Sequence, residues 1–125
     1  MFKAGFSKVS ISPSQGVPLA GFAARPEVST GTHDDLFARA LVFESLNSAV
    51  ALVSVDLLAL PAEFIARVRR LIQESTGLKP DSIMIASTHT HAGPVTIRTF
   101  FNPDGSVDRQ YMNTLADGIE EAVRN

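Results

Sequence analysis

Apolar and polar positions alternate loosely from Lys3 to Ile11, with Ala4, Phe6, Val9 and Ile11 as the apolar members, and the run stops at Ser12-Pro13-Ser14. That pattern predicts a strand closed by a turn. From Gly16 to Asp35 the periodicity lapses into Gly, Pro, Ser and Thr, an irregular excursion of about twenty residues; loops that long inside a compact domain usually carry function. Ala38 to Glu44 and Ala49 to Val55 are apolar runs joined by Ser45-Leu46-Asn47-Ser48, which predicts an antiparallel hairpin. The second run is apolar on both faces, as a central covered strand should be, and ends at Asp56.

Beyond Pro61 the period changes. Phe64, Ile65, Val68, Leu71 and Ile72 share one face of a helix, with Glu63, Arg67, Arg70 and Glu74 outside. Gly77 caps it, Pro80 bars continuation, and Ile83 to Ala86 follow as a short buried strand. A strand, helix, strand unit of this kind joins parallel strands by a right-handed crossover. Val95 to Val107 reads as a second irregular segment holding Phe100-Phe101 and the turn signal Asn102-Pro103-Asp104-Gly105. Asp108 then opens a helix with Tyr111, Met112, Leu115, Ile119 and Val123 on one side. The expected fold is α/β: a mixed sheet with a hairpin and one right-handed strand-helix-strand unit, helices covering the sheet, in a single domain over 1–125.

Composition narrows the partners. Eleven Lys and Arg against thirteen Asp and Glu give a net charge of -2, so no basic field is present to neutralise phosphates, and nucleic acid is excluded as an expected partner. No apolar run is long enough for a transmembrane segment, and the first residues lack the apolar core of a secretory signal. With no Cys, disulfides are excluded; the balance leans to a cytoplasmic location, with secretion open if a signal was removed.

The sharpest local feature is Ser87-Thr88-His89-Thr90-His91-Ala92-Gly93-Pro94, two histidines two residues apart at the carboxyl end of a buried strand. Extended backbone would send both imidazoles to one side, and neutral imidazole is a common zinc ligand. Open α/β sheets bind ligands at the carboxyl ends of their parallel strands, and Asp56 lies at the neighbouring end, available as ligand, orienter of an imidazole, or base. His33 sits in the long loop beside Asp34 and Asp35. Each has a plainer reading: the pair as hydrogen-bonded structural residues, His33 as a solvated loop residue, Asp56 as the cap of the turn before Pro61. Arg25, Arg39 and Arg98 are candidates for a polar or anionic substrate, and Phe100 and Phe101 for an apolar acyl site. A catalytic zinc site needs three protein ligands plus water, so His89 and His91 need a further donor, Asp56 or His33 or a group from elsewhere.

THTHAGP at Thr88 to Pro94, GTHDDLFARAL at Gly31 to Leu41, VSVDLLAL at Val53 to Leu60 and the opening KVSISPSQGVPLAGF at Lys8 to Phe22 together resemble the N-terminal catalytic region of neutral/alkaline non-lysosomal ceramidases and their bacterial relatives. The resemblance implies a zinc-dependent amidohydrolase that cleaves the N-acyl bond of ceramide to a sphingoid base and a fatty acid. It implies that His89 is the zinc ligand and that His91 contacts water or substrate as acid, base or transition-state stabiliser, with His33 and Asp56 also in matching blocks. The family usually has Ser at the position of Ala92 and often Tyr at that of Phe37. Its other zinc ligands, a second His, a Glu and a Tyr, come from later in a much longer chain, and Tyr111 has no matching motif around it. The resemblance therefore implies an N-terminal fragment of a longer catalytic domain, with an incomplete zinc set, an N-acyl amide or ceramide-like substrate, and self-association through surface that the remainder would cover. Two rivals stand beside it: a non-catalytic binding module on the same scaffold, and a different metal-dependent hydrolase using His89, His91 and Asp56 together.

Overall fold

The computed structural model describes residues 1–98 and 107–125. The Phe100-Phe101 pair and the Asn102-Pro103-Asp104-Gly105 turn signal lie outside the described residues. In chain order the elements are β1 (Phe2–Ser10), β2 (Phe37–Ser45), β3 (Ser48–Val55), α1 (Ala62–Thr76), β4 (Ile83–Ser87) and α2 (Arg109–Arg124). The sheet order is β1-β2-β3-β4. The first two pairings are antiparallel and β3 pairs with β4 in parallel across α1, so the expected mixed sheet with its hairpin and strand-helix-strand unit is the fold.

Register sorts the side chains into two faces. Ala38, Ala40, Ala51, Val53, Val55 and Ile83 face the helices and are at most 2% exposed. On the opposite face the register aligns Phe6, Leu41, Leu52 and Met84 in one row across all four strands. Phe6 is 66% exposed and Met84 55%, so this second face is apolar and uncovered.

Both helices form for reasons visible locally. Helix α1 buries Phe64, Val68 and Ile72, starts after Pro61 and ends at Gly77, whose φ of 77° is the left-handed cap that glycine reaches without strain. Helix α2 is capped by Asp108, whose carboxylate accepts from the backbone N–H of Gln110 and Tyr111 at 2.9 and 3.1 Å. Three alanines on the inner face of β2 and β3 leave room for close packing, and α2 passes over Ile11 and Val9 at Gly118. Tyr111 secures the same junction, its hydroxyl donating to the Ile11 carbonyl at 2.8 Å in a buried site. Burial pushes that hydroxyl pKa well above the ordinary phenol range.

The hairpin is tighter than the four-residue link expected from sequence. Ser45 and Ser48 pair across the strands, leaving a two-residue turn of Leu46 and Asn47 with Leu46 at a φ of 50°.

Candidate functional site

The site grows from the carboxyl ends of the parallel pair. Past the last strand residues the two chains stay tied, Thr88 N–H donating to Val55 O at 2.9 Å and His89 N–H to Leu57 O at 3.0 Å. Then the chain turns sharply, because His89 adopts a φ of 65°. A left-handed conformation costs an L-residue about 1 kcal/mol, and its persistence marks a position over-determined by its surroundings. The histidines were expected to face one way because alternate residues of a strand do. The structure corrects the reason: β4 stops at Ser87, and the left-handed turn at His89 brings the rings together, centroids 5.1 Å apart and planes at 74°.

His89 Nδ1 lies 2.9 Å from the carbonyl oxygen of Leu58. A carbonyl can only accept, so Nδ1 carries a proton, and in the neutral imidazole Nε2 is then the nitrogen with the free lone pair. The same arrangement, an imidazole N–H on a backbone carbonyl, orients histidines that bind metals through the other nitrogen. Leu58 is itself held: it is buried with Ala20 and Val95, and the hydroxyl of fully buried Thr96 donates to Ala59 O at 2.6 Å.

The irregular segment after β1 folds over this turn. Ala20 N–H donates to Gly93 O and Val95 N–H to Pro18 O, each at 2.9 Å, forming a short antiparallel tie that also pairs Leu19 with Pro94. Gly21, at a φ of 102°, lies so close to His91 that a Cβ would come within 2.5 Å of its ring Cγ and 2.8 Å of its Cα. Glycine is required there both by conformation and by space. The Phe22 ring meets His91 edge-on at 5.3 Å, and Arg25 lies over the Phe22 ring at 4.6 Å while its Nη1 donates to the His91 carbonyl at 3.2 Å. Between the loop and the histidine turn is an open cavity of about 800 Å³ walled by residues 18–28, Leu58, Ala59, His89, His91, Val95 and Ile97. Its walls are mainly small and apolar, with two imidazoles and the charges of Arg25 and Glu27, the composition of a pocket for an organic molecule with a polar centre.

The remaining candidates are placed elsewhere. His33 is exposed, its Nδ1 2.8 Å from Asp34 Oδ2. Asp56 turns toward β2, where one carboxylate oxygen accepts from Phe37 N–H at 3.0 Å and Arg39 Nη1 at 2.7 Å. Neither residue lines the cavity, nor do Arg39, Phe37, Ala92 or exposed Arg98. Tyr111 belongs to the core. Among the described residues no three His, Cys, Asp or Glu side chains gather as a metal site, and those residues offer the imidazoles of His89 and His91 without a complete ligand set. The sequence reading missed Gly21, Phe22 and the Leu58 carbonyl. Gly21-Phe22 lies inside the KVSISPSQGVPLAGF block, which was the only signal available; a backbone acceptor leaves none.

Similarity to known proteins follows the same geometry. The family model described as neutral/alkaline non-lysosomal ceramidase, N-terminal, matches residues 2–125. Neutral ceramidase 3 of Arabidopsis thaliana is 32% identical over 117 residues, covering 89% of this chain and 16% of that protein. A solved structure described as ceramidase complexed with C2 superposes with a TM-score of 0.84 at 26% identity, covering 98% of this chain and 20% of the other. The neutral ceramidase of Pseudomonas aeruginosa has the same fold, with a TM-score of 0.79 at 24% identity over 97% of this chain and 20% of its own. The chain thus spans about a fifth or less of the relatives it matches. It belongs to the neutral/alkaline non-lysosomal ceramidase family and corresponds to that family's N-terminal region.

Proposed function

We propose that this chain forms one wall of the active site of a zinc-dependent hydrolase of N-acyl amide bonds, with ceramide-like lipids as the substrate class and His89 as a metal ligand. The observation that carries the reading is the His89 Nδ1–H bond to the Leu58 carbonyl, which leaves the Nε2 lone pair on a ring lining the cavity. When bound, zinc supplies Lewis acidity and a water whose pKa falls from about 15.7 toward about 7. His91, edge-on to His89 and lodged between Gly21 and Phe22, is positioned to donate to the developing oxyanion or to pass a proton to the departing amine. The apolar cavity wall holds the acyl portion and excludes water from it. Asp56 in this reading secures the start of β2 through Arg39 and Phe37, and His33 stands outside the cavity. The remaining ligands come from a polypeptide that also covers the open sheet face, and the 125 residues without it associate through that face.

Zinc titration and hydrolysis of short N-acyl amides, both in a form that carries the remaining ligands, test this. His89→Ala is expected to abolish metal uptake and turnover together, and retention of zinc by that variant rejects the assignment. A non-catalytic module on the same scaffold is the second reading; a wild-type form carrying the remaining ligands that takes up no zinc and turns over no amide supports it.

A further inference from the structure

We propose that Arg25 is a carboxylate-recognition residue of the cavity beside His91, so that the pocket takes an acyl ligand bearing a carboxylate. The inference rests on the hydrolase reading for the identity of its ligand and on the geometry of Arg25 for its site. Four rings and planes run in sequence from the candidate metal ligand: His89 edge-on to His91, His91 edge-on to Phe22, and the Arg25 guanidinium over the face of Phe22 at 4.6 Å. Its Nη1 is tied to the His91 carbonyl at 3.2 Å, so the head of the side chain is fixed on two sides before any ligand arrives. Among the described residues Arg25 enters no ion pair, although Glu27 lines the same cavity. A guanidinium has five N–H donors, and one hydrogen bond leaves most of them for a ligand. A half-buried cation held in place and lacking a carboxylate partner, in a mainly apolar cavity, is preorganised to bind one.

Amide hydrolysis supplies that chemistry. Water adds to the carbonyl carbon, the C–N bond breaks, the nitrogen leaves as an amine that takes up a proton, and the acyl carbon leaves as a carboxylate. Arg25 then receives either this released carboxylate or one already carried by the amine half of the substrate. Octanoate stands for the first source and N-octanoylglycine for the second, with octanamide and N-octanoylethanolamine as their neutral counterparts.

NMR titration of the 125-residue chain without added metal reads the affinities. At least one of the anions is expected to bind about tenfold more tightly than its neutral counterpart, with shifts at residues 20–28 and at the Arg25 side chain. Octanoate alone showing the preference identifies the released acid, and N-octanoylglycine alone identifies a substrate carboxylate. Arg25→Gln should erase the preference and Arg25→Lys, a point charge without the planar fork, should retain part of it. Equal binding of charged and neutral ligands, no saturable binding of any, or an undiminished preference in Arg25→Gln overturns the proposal. If Arg25→Gln fails to fold, the wild-type comparison and Arg25→Lys decide. Because no metal is present, failure here is separate from failure of the zinc assignment, which is read from metal uptake by His89→Ala.

Discussion

Replacing His89 by Gly and by Ala separates the chemical use of that residue from its cost to the fold. Both substitutions remove the ring, hence the Nδ1–H bond to Leu58 O, a loss of about 1 kcal/mol for a hydrogen bond of this kind. They differ in backbone. Ala keeps a Cβ at a φ of 65° and keeps the strain, whereas Gly relieves it. Set against the greater freedom of Gly in the unfolded chain, the relief leaves His89→Gly more stable than His89→Ala by roughly 0.5–1 kcal/mol. For a chain of this size that is about 2–4 °C in melting temperature. At an ordinary site the order is reversed, with Ala the more stable, so the sign alone is diagnostic. Urea melts of the two variants at equal m-value measure the difference, and zinc titration in a form that carries the remaining ligands should find metal uptake lost in both. An Ala variant as stable as the Gly variant would show that the turn stores no strain, and His89 would then need no surrounding contacts to hold its conformation.

Three further outcomes are expected. Tyr111→Phe should cost about 1–2 kcal/mol by leaving the buried Ile11 carbonyl without a donor; because the folded-state hydroxyl pKa is raised, the unfolded chain releases its proton first, so wild-type stability should fall by up to about 1.4 kcal/mol per pH unit above about 10, a slope that chemical melts of the variant should lack. Gly21→Ala should destabilise by about 1–3 kcal/mol, since both the positive φ and the His91 contact oppose a Cβ, and should shift the His91 ring resonances while leaving those of Tyr111 in place; unchanged His91 shifts would refute the close approach. Phe6→Lys combined with Met84→Lys, both on the exposed side of the sheet, should keep the chain monomeric in sedimentation at concentrations where wild type associates, and undiminished association would point to another face.

The fold was legible where periodicity and punctuation agreed. Pro61 and Gly77 bracket α1 as the sequence predicted, Asp108 caps α2, and the apolar runs of β2 and β3 pair as a hairpin. The hairpin link was overestimated because Ser45 and Ser48, polar and turn-forming by type, pair as strand residues; neighbours on either side decide the register, and propensity is the weaker force. At the site, the pairing of His89 with His91 was legible and its geometry was not. A left-handed histidine has no sequence signature, and the expectation of a regular strand gave a sound conclusion for an incorrect reason. Asp56, expected at the strand end beside His89 as ligand, orienter or base, directs its carboxylate to β2. Arg39 and the Phe37 N–H on β2 offer it a cation and a donor, and both engage it.

The long loop and the strained turn explain one another. The chain from Val17 to Val28 carries little secondary structure of its own, and its stability comes from what it grips: the Gly93 carbonyl, the Val95 amide, the face of His91 and the His91 carbonyl. Those same contacts, with the Leu57 and Leu58 carbonyls on the opposite side, hold His89 and His91 in a conformation that the local sequence alone would not prefer. Each imidazole is held by a segment distant in sequence, His89 by the Leu58 carbonyl and His91 by Gly21 and Phe22, so its position is a property of the assembled fold. That is the condition for a site in which a ring must wait in place for a metal or a substrate. It also means that a lesion anywhere along the clamp, at Gly21, Arg25 or Thr96, should disturb the histidines before it disturbs the core between the sheet and the helices.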